Sequence, residues 1–218
     1  MRNVSFETKL REGRGSGVGA AYKPWIKIGE INSKGTCTLL TDWKHRRAIH
    51  CLSQAEAMAY CILRWNDDNI DIREQYPLNN VATKSIAHEL GIPHVVGSKS
   101  VYTTDFLVTK KDGTFEAYSV KSSRNLSKRE QRTMAVEERY WQERGVKFVV
   151  LYKNELNRTL FANIRLMVRF YREEDIYDDI SEFRHKVAIK KVYLDMMSKV
   201  WTDKQIGDIL KAGEYIGK

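Results

Sequence analysis

Alternating hydrophobic and polar positions mark a series of short strands up to residue 152. Residues 69–78 alternate, and residues 102–108 and 115–120 follow the same two-residue period, which is typical of strands. Residues 147–152 are an apolar run, which predicts a buried strand. The Asp-Gly pair within residues 110–114 predicts that the second and third of these strands form an antiparallel hairpin.

Helical periodicity and capping residues predict three helices between these strands. Ser53 and Glu56 form a capping-box pattern ahead of residues 57–65, whose apolar positions recur at helical spacing. Residues 83–90 predict a short helix, and residues 127–144 predict a long one that begins at a second capping box. Strand, strand, long helix and buried strand in this order predict an α/β fold, with a small mixed sheet flanked by helices.

The two ends of the chain are predicted with less regular patterns. Near the N-terminus, β-rich composition predicts short strands at residues 24–28, 37–41 and 47–52. Beyond residue 154, the predicted helices are 158–172, 180–200 and a last helix capped by Thr202. The acidic segment 173–179 predicts a boundary between a domain of residues 1–172 and a short helical tail of residues 173–218. Two helices joined by a turn leave two interpretations of this tail, a helix-turn-helix-like element or a partner-docking element.

Charge is distributed unevenly along the chain. The 218 residues contain 37 Lys and Arg against 28 Asp and Glu, for a net charge of +9. Residues 173–218 contain 8 of these basic and 10 of these acidic residues, so 29 basic and 18 acidic residues remain in residues 1–172. A basic domain beside a near-neutral tail indicates a polyanionic partner, with nucleic acid favoured over a membrane surface.

Several classes of protein are excluded by what the chain lacks. No apolar stretch approaches the roughly 20 residues that span a bilayer, and the N-terminus has no apolar signal-peptide run. Three cysteines without a CxxC pair indicate the reduced thiols of a cytoplasmic protein. Five histidines without HxxxH or HExxH spacing argue against a histidine-bound transition metal.

Residues 11–19 contain four glycines at alternate positions beside two arginines. The segment superficially looks like a phosphate-binding loop, but no hydrophobic strand precedes it and no Lys-Ser/Thr pair follows it. Two interpretations stay open for this basic, glycine-rich arm of residues 1–22. It is either a flexible basic arm or an arm that contacts DNA phosphates through Lys9, Arg11 and Arg14.

Two carboxylates and a lysine lie at the ends of predicted elements. Glu56 is on a helix, Asp105 opens a strand, and Lys121 ends the next strand. Carboxylate oxygens bind Mg²⁺, and a nearby lysine stabilises the attacking water or the charged transition state of phosphodiester hydrolysis. Two features weaken this pattern: Glu56 also fits a plain helix cap, and position 119 is a serine where an acid would normally precede the lysine by two residues.

Four local motifs together resemble the TnsA family, the endonuclease subunits of heteromeric cut-and-paste transposases. They occur in the family's order and span residues 10 to about 165, whereas the resemblance fades after Arg172. The matching segments are residues 11–19 with Tyr22, Pro24 and Trp25, residues 71–78, residues 104–108, and residues 138–142.

This resemblance implies a restriction-endonuclease-like N-terminal domain whose active-site acids match Glu56 and Asp105 and whose lysine matches Lys121. It implies one or two Mg²⁺ ions, with Mn²⁺ as a substitute, bound by these acids and the Val120 carbonyl. The family has an amide or acid where this chain has Ser119, so the metal shell would be leaner. The remaining candidates are Glu137 and Glu138 as replacement acids, Gln75 near the site, and Arg73 as a DNA contact.

By the same resemblance, the expected function is Mg²⁺-dependent nicking of double-stranded DNA at the 5′ ends of a transposon. An integrase-like transposase, TnsB, would join the 3′ ends, and an AAA+ ATPase, TnsC, would regulate the reaction, on DNA in the bacterial cytoplasm. Two alternatives stay open. One is a stand-alone restriction-like nuclease or junction resolvase, and the other is a non-catalytic, architectural DNA-binding subunit.

Overall fold

The computed structural model of the chain describes residues 4–30, 36–93 and 101–213. Its strands are β1 (Thr38–Thr41), β2 (Ala48–Cys51), β3 (Asn69–Pro77), β4 (Thr103–Lys110), β5 (Phe115–Lys121) and β6 (Lys147–Tyr152). Its α-helices are α1 (Phe6–Arg11), α2 (Gln54–Trp65), α3 (Asn80–Glu89), α4 (Lys128–Gln142), α5 (Arg158–Val168), α6 (Asp179–Ala188) and α7 (Asp203–Ala212). The chain divides into two compact units, Met1–Leu156 and Asn157–Lys218.

The first unit is built on a mixed four-stranded sheet in the order β3-β4-β5-β6. β3, β4 and β5 are antiparallel neighbours, whereas β5 and β6 are parallel. The β4–β5 connection is the predicted hairpin, in which Gly113 has φ 85° and the Asp112 carboxylate accepts the Thr114 N–H at 2.9 Å. The predicted α/β sheet is therefore confirmed.

Helices cover both faces of this sheet. On one face, α2 packs against β3 and β5, and the Tyr60 ring lies 6.0 Å from that of Phe106. On the other face, α3 and α4 pack together over a core that includes Leu107, Ala117 and Trp141. Because helices pack on both faces, the apolar side chains on each face of this small sheet are kept out of water, which stabilises it.

The β6 strand differs from its prediction. Its apolar run indicated full burial, but β6 is the edge of the sheet and its residues are exposed or only partly buried. Apolar side chains on an edge strand still cover the helix that precedes it, and α4 packs against β6. The run therefore predicted the strand correctly but not its place in the sheet.

Two other predicted elements are wrong. Residues 24–28 form no strand. Trp25 is instead buried against Phe6, and its backbone N–H donates to the backbone carbonyl of Gln75 at 3.3 Å. The helix predicted for residues 180–200 ends at Ala188, where the chain turns through Lys190 with φ 63°. A left-handed residue cannot continue a right-handed helix.

The glycine-rich N-terminal segment is folded onto β3 and is not a flexible arm. Gly15 has φ 78°, and a Cβ at this position would lie 2.2 Å from Pro77 Cγ. The Gly19 N–H donates to the Asp71 carboxylate at 3.1 Å, and Tyr22 donates its hydroxyl to the Glu74 carbonyl at 3.0 Å. Glycine is required where the segment approaches Pro77 so closely.

The second unit contains α5, α6 and α7. The buried Asn163 amide of α5 donates to the carbonyls of Met196 and Lys199, and its carbonyl accepts the Trp201 N–H at 2.9 Å. α5 thus belongs with this unit, which begins at residue 157 rather than at the predicted 173. Residues 214–218 of the predicted tail lie outside the described residues.

Within the described residues, no helix combines the length and apolar character needed to cross a membrane.

Candidate active site

Glu56 lies at the start of α2 and is held on several sides. Its backbone N–H donates to Ser53 Oγ at 3.1 Å, so it completes the helix cap. Its carboxyl group accepts the Ser53 hydroxyl at 2.9 Å, the Leu52 N–H at 2.8 Å and the Gln75 amide at 3.2 Å. The side chain is fixed in one orientation and is only 8% exposed.

Burial and the negative charge of Asp105 raise the pKa of Glu56 to about 8, while Lys121 opposes this rise. An isolated helix cap would not sense these two groups, because charges interact strongly only when they are close and poorly solvated. Glu56 therefore shares one environment with Asp105 and Lys121. The two expectations for Glu56, a helix cap and a site residue, are compatible in this structure.

Asp105 lies where β4 and β5 separate. The paired register of the two strands ends at Phe106 and Tyr118. Beyond that pair, the Val120 N–H donates at 2.6 Å to the Asp105 carboxylate. The aspartate thus binds β5 through one oxygen, Oδ2, and its carboxylate is half-buried.

Lys121 ends β5 and is half-buried. Its ammonium donates to Ser119 Oγ at 2.7 Å. Its positive charge lowers the pKa of both Glu56 and Glu137 against their burial, so it lies near both carboxyl groups. The structure therefore brings Glu56, Asp105 and Lys121 together, whereas their catalytic roles stay predictions.

The donor set fits a small hard cation. The charge of Asp105 raises the pKa of Glu56, so the two carboxylates repel each other, and a divalent cation bound by both would relieve this repulsion. Among the described residues, no three Asp, Glu, His or Cys side chains form a complete ligand cluster. Mg²⁺ usually takes one or two carboxylates and completes its shell with water and substrate phosphate oxygens.

The two candidate replacement acids on α4 have different surroundings. Glu138 is exposed and accepts the Gln142 amide at 3.4 Å, so it lies outside the site. Glu137 is 3% exposed and accepts the Thr104 hydroxyl at 2.7 Å. Burial first, and then the charge of Asp105, raise the pKa of Glu137 to about 8, against hydrogen bonds from Thr104 and Ser119.

Gln75 connects Glu56 to the N-terminal segment. It adopts a left-handed conformation with φ 50°, which is rare for a non-glycine residue. Its side-chain amide donates to Glu56, and its backbone carbonyl accepts the backbone N–H of Trp25. This backbone conformation costs energy, so the contacts around Gln75 must hold the residue in it.

The predicted DNA contacts are placed differently from one another. Arg14 is buried, and its guanidinium donates to Glu12 and Glu30, both at 2.7 Å, so it is engaged within the fold. Lys9 lies 3.8 Å from Glu30 and over the Trp25 ring. Arg73 lies 3.5 Å from Asp71 and donates to Thr109. Arg11 alone of the four is exposed.

A group of basic residues was missed by the sequence reasoning. Lys128, Arg129 and Arg132 are exposed in the first turns of α4, and they form no ion pair within the described part of the chain. By contrast, Arg139 on the same helix binds Glu143 at 2.7 Å. The signal was available as three basic residues in the first six positions of the predicted helix 127–144. We name Lys128, Arg129 and Arg132 the α4 basic patch.

Comparisons with known proteins give an independent result. Residues 66–153, which include Asp105, Lys121 and Glu137, match the family described as TnsA-like endonuclease N terminal. The chain is also similar to the transposon Tn7 transposition protein TnsA of Escherichia coli, with 34% identity over 176 residues. That alignment covers 78% of this chain and 64% of the relative's length.

Proposed function

We propose that this chain, whose residues 66–153 match the family described as TnsA-like endonuclease N terminal, has a restriction-endonuclease-like domain and cleaves double-stranded DNA as the endonuclease subunit of a transposase. One observation carries the proposal: two carboxyl groups and a lysine, distant in sequence, meet where β4 and β5 separate. Burying like charges costs stability, and groups with strongly shifted pKa values cluster at functional sites, which supports the proposal.

In the proposed mechanism, the carboxylate oxygens of Glu56 and Asp105 would hold one or two Mg²⁺ ions, with Mn²⁺ as a substitute. The ion would supply charge neutralisation at the scissile phosphate and an activated water. Lys121 donates N–H groups to the phosphate oxygens or to the attacking water, which stabilises the charge that develops in the transition state. The Val120 carbonyl is a proposed further ligand.

The proposed substrate and partners follow from the similarity to a transposition protein. The substrate is the 5′ strand at each end of a transposon, and the proposed partners are an integrase-like TnsB transposase and a TnsC-type AAA+ ATPase. The chain spans less than two thirds of its relative's length. The proposal of these partners therefore rests on the similarity of the endonuclease domain.

The α4 basic patch is the proposed contact with DNA phosphates beside the site. Arg129 precedes Glu137 by eight residues, which is about 12 Å along a helix axis. Cations without internal partners are available to phosphates and release counterions on binding, whereas Arg14 would first have to give up Glu12 and Glu30. Arg11 is the proposed contact from the N-terminal segment.

The test is strand-specific cleavage of labelled transposon-end DNA by the full chain, with and without TnsB-type and TnsC-type partners, in Mg²⁺, Mn²⁺ or Ca²⁺. The proposal expects 5′-strand nicks in Mg²⁺ or Mn²⁺ when the partners are present. Efficient cleavage of naked DNA without partners would instead identify a stand-alone nuclease. Salt-sensitive binding without cleavage under every condition would identify an architectural subunit.

A further inference from the structure

Lys121 begins a chain of polar contacts that reaches from the candidate active site to α4. The Lys121 ammonium donates to Ser119 Oγ at 2.7 Å. The Ser119 hydroxyl is buried beside the Glu137 carboxyl group, whose pKa it lowers as a hydrogen-bond donor would. The oxygen of the Ser119 hydroxyl accepts from the ammonium, so the hydrogen of the same hydroxyl can still be donated to a carboxyl oxygen.

A second branch reaches the same carboxyl group from the other active-site strand. Trp141 Nε1 donates to Thr104 Oγ1 at 2.7 Å, and Thr104 Oγ1 donates to Glu137 Oε1 at 2.7 Å. Trp and Lys side chains only donate, so the direction of each branch is determined. Glu137 thus accepts a hydrogen bond from the residue before Asp105 and lies beside the residue two before Lys121.

We infer that Glu137 and Ser119 are positioning residues that hold the Lys121 ammonium in the active site, an inference that rests on the proposed nuclease function. In this account, Ser119 is not a lost metal ligand. Its hydroxyl connects the catalytic lysine to a buried acid on α4.

The contacts of Glu137 favour positioning over metal binding. Its buried carboxyl group accepts the Thr104 hydroxyl at 2.7 Å, and the Ser119 hydroxyl lies close enough to lower its pKa. Buried polar chains of this kind are rigid when every member has a partner, as here.

The test compares Ser119→Ala, Glu137→Gln and their double variant with a matched control, Glu138→Gln, one position along the same helix. The readout is the rate of 5′-strand cleavage by the full chain with its partners, measured across Mg²⁺ concentrations. Thermal unfolding and DNA binding in Ca²⁺ verify that each variant is folded. Ser119→Ala keeps the test decisive if Glu137→Gln does not fold.

We expect Ser119→Ala and Glu137→Gln each to lower the maximal rate by roughly 10- to 100-fold, the range for partners that orient a catalytic group. The double variant should be no slower than the slower single variant, because both act through Lys121. The Mg²⁺ concentration for half-maximal rate should not change. A structural defect would instead lower DNA binding and the unfolding temperature together with the rate.

Three outcomes would overturn the inference: rates equal to that of Glu138→Gln, losses that multiply in the double variant, or a higher Mg²⁺ requirement in Glu137→Gln. The last would make Glu137 a metal ligand. Failure of the proposed function is distinct from these, because the wild-type and Glu138→Gln proteins would then both fail to cleave under every metal condition.

Discussion

Glu56 serves a helix and a candidate active site with the same side chain. Its place three residues after Ser53 made it recognisable as a cap from the sequence. Its contact with Gln75 and its response to Asp105 depend on a fold that brings residues 56, 75 and 105 together. Local sequence therefore predicted the cap, whereas only tertiary structure brings the site together.

Glu137 was harder to assign from the sequence. The 3.6-residue period places it beside Val136, Tyr140 and Trp141 on the buried face of α4, where a glutamate is unusual. That was the available signal, but it does not distinguish Glu137 from Glu138 as a site residue. The distinction came from the partners of Glu137 on β4 and β5, which no helical pattern contains.

The raised pKa of Glu137 predicts a pH-dependent stability. In the folded, metal-free protein this pKa is about 8, against 4.5 for an unperturbed glutamate. Between these values the native state binds more protons than the unfolded state, so stability is highest below the lower value and is lost as the pH rises towards 8. Glu137→Gln should remove this part of the loss, whereas Glu138→Gln should keep it. Thermal unfolding from pH 5 to pH 8.5 measures both, and parallel curves would contradict the prediction.

At the scale of elements, the β4–β5 hairpin is the part of the site that the sequence predicts best. The Asp-Gly turn and the alternating strands set Asp105 and Lys121 on neighbouring strands. The end of their pairing at Phe106 and Tyr118 was not predictable, and neither was the hydrogen bond from the Val120 N–H to the Asp105 carboxylate beyond it. Element patterns specify paired strands but not the point where they separate.

The α4 basic patch predicts a change in DNA binding. Replacing Lys128, Arg129 and Arg132 together by alanine should weaken binding uniformly across sequences and reduce the log–log salt slope by about 3, at about 0.9 per phosphate contact. Arg139→Ala is the control on the same helix, since Arg139 is paired with Glu143. Binding measured from low to moderate salt tests this, and an unchanged slope in the triple variant would exclude the patch.

The N-terminal segment predicts a stability difference between two glycines. Gly15→Ala should destabilise the protein by about 1–3 kcal/mol more than Gly145→Ala. Both glycines have positive φ, but a Cβ at Gly15 would meet Pro77, whereas a Cβ at Gly145 would meet nothing within 4 Å. Denaturant unfolding of the two variants measures the difference. Equal destabilisation would mean that the segment does not pack closely on β3.

At the scale of the whole molecule, the net charge is +9, and the basic residues fall into two groups, those buried in ion pairs and those exposed on the surface. Arg14, Arg47 and Arg64 are buried and bind Glu30, Glu74 and Asp42, so they support the fold. The α4 basic patch remains exposed. Composition predicted a polyanionic partner but could not separate these groups, because pairing depends on which acids the fold brings near each cation.

The candidate catalytic residues are confined to one of the two compact units. All the candidate catalytic residues lie in residues 1–156, and residues 157–218 form a small helical unit. The family match also lies within the first unit. A helix-turn-helix-like or partner-docking role for the second unit stays a prediction, and it would be tested by whether α5–α7 variants lose partner-dependent cleavage but keep DNA binding.

The most direct test of the central claim is cleavage by an Asp105→Asn variant. Asparagine keeps an oxygen that can accept the Val120 N–H, but it removes the charge that a cation requires. With partners, Mg²⁺ and end-labelled transposon DNA, the wild-type chain should nick the 5′ strand. The variant should bind DNA normally and cleave about 100-fold more slowly or not at all. Cleavage by the variant at the wild-type rate would contradict the assignment of this site.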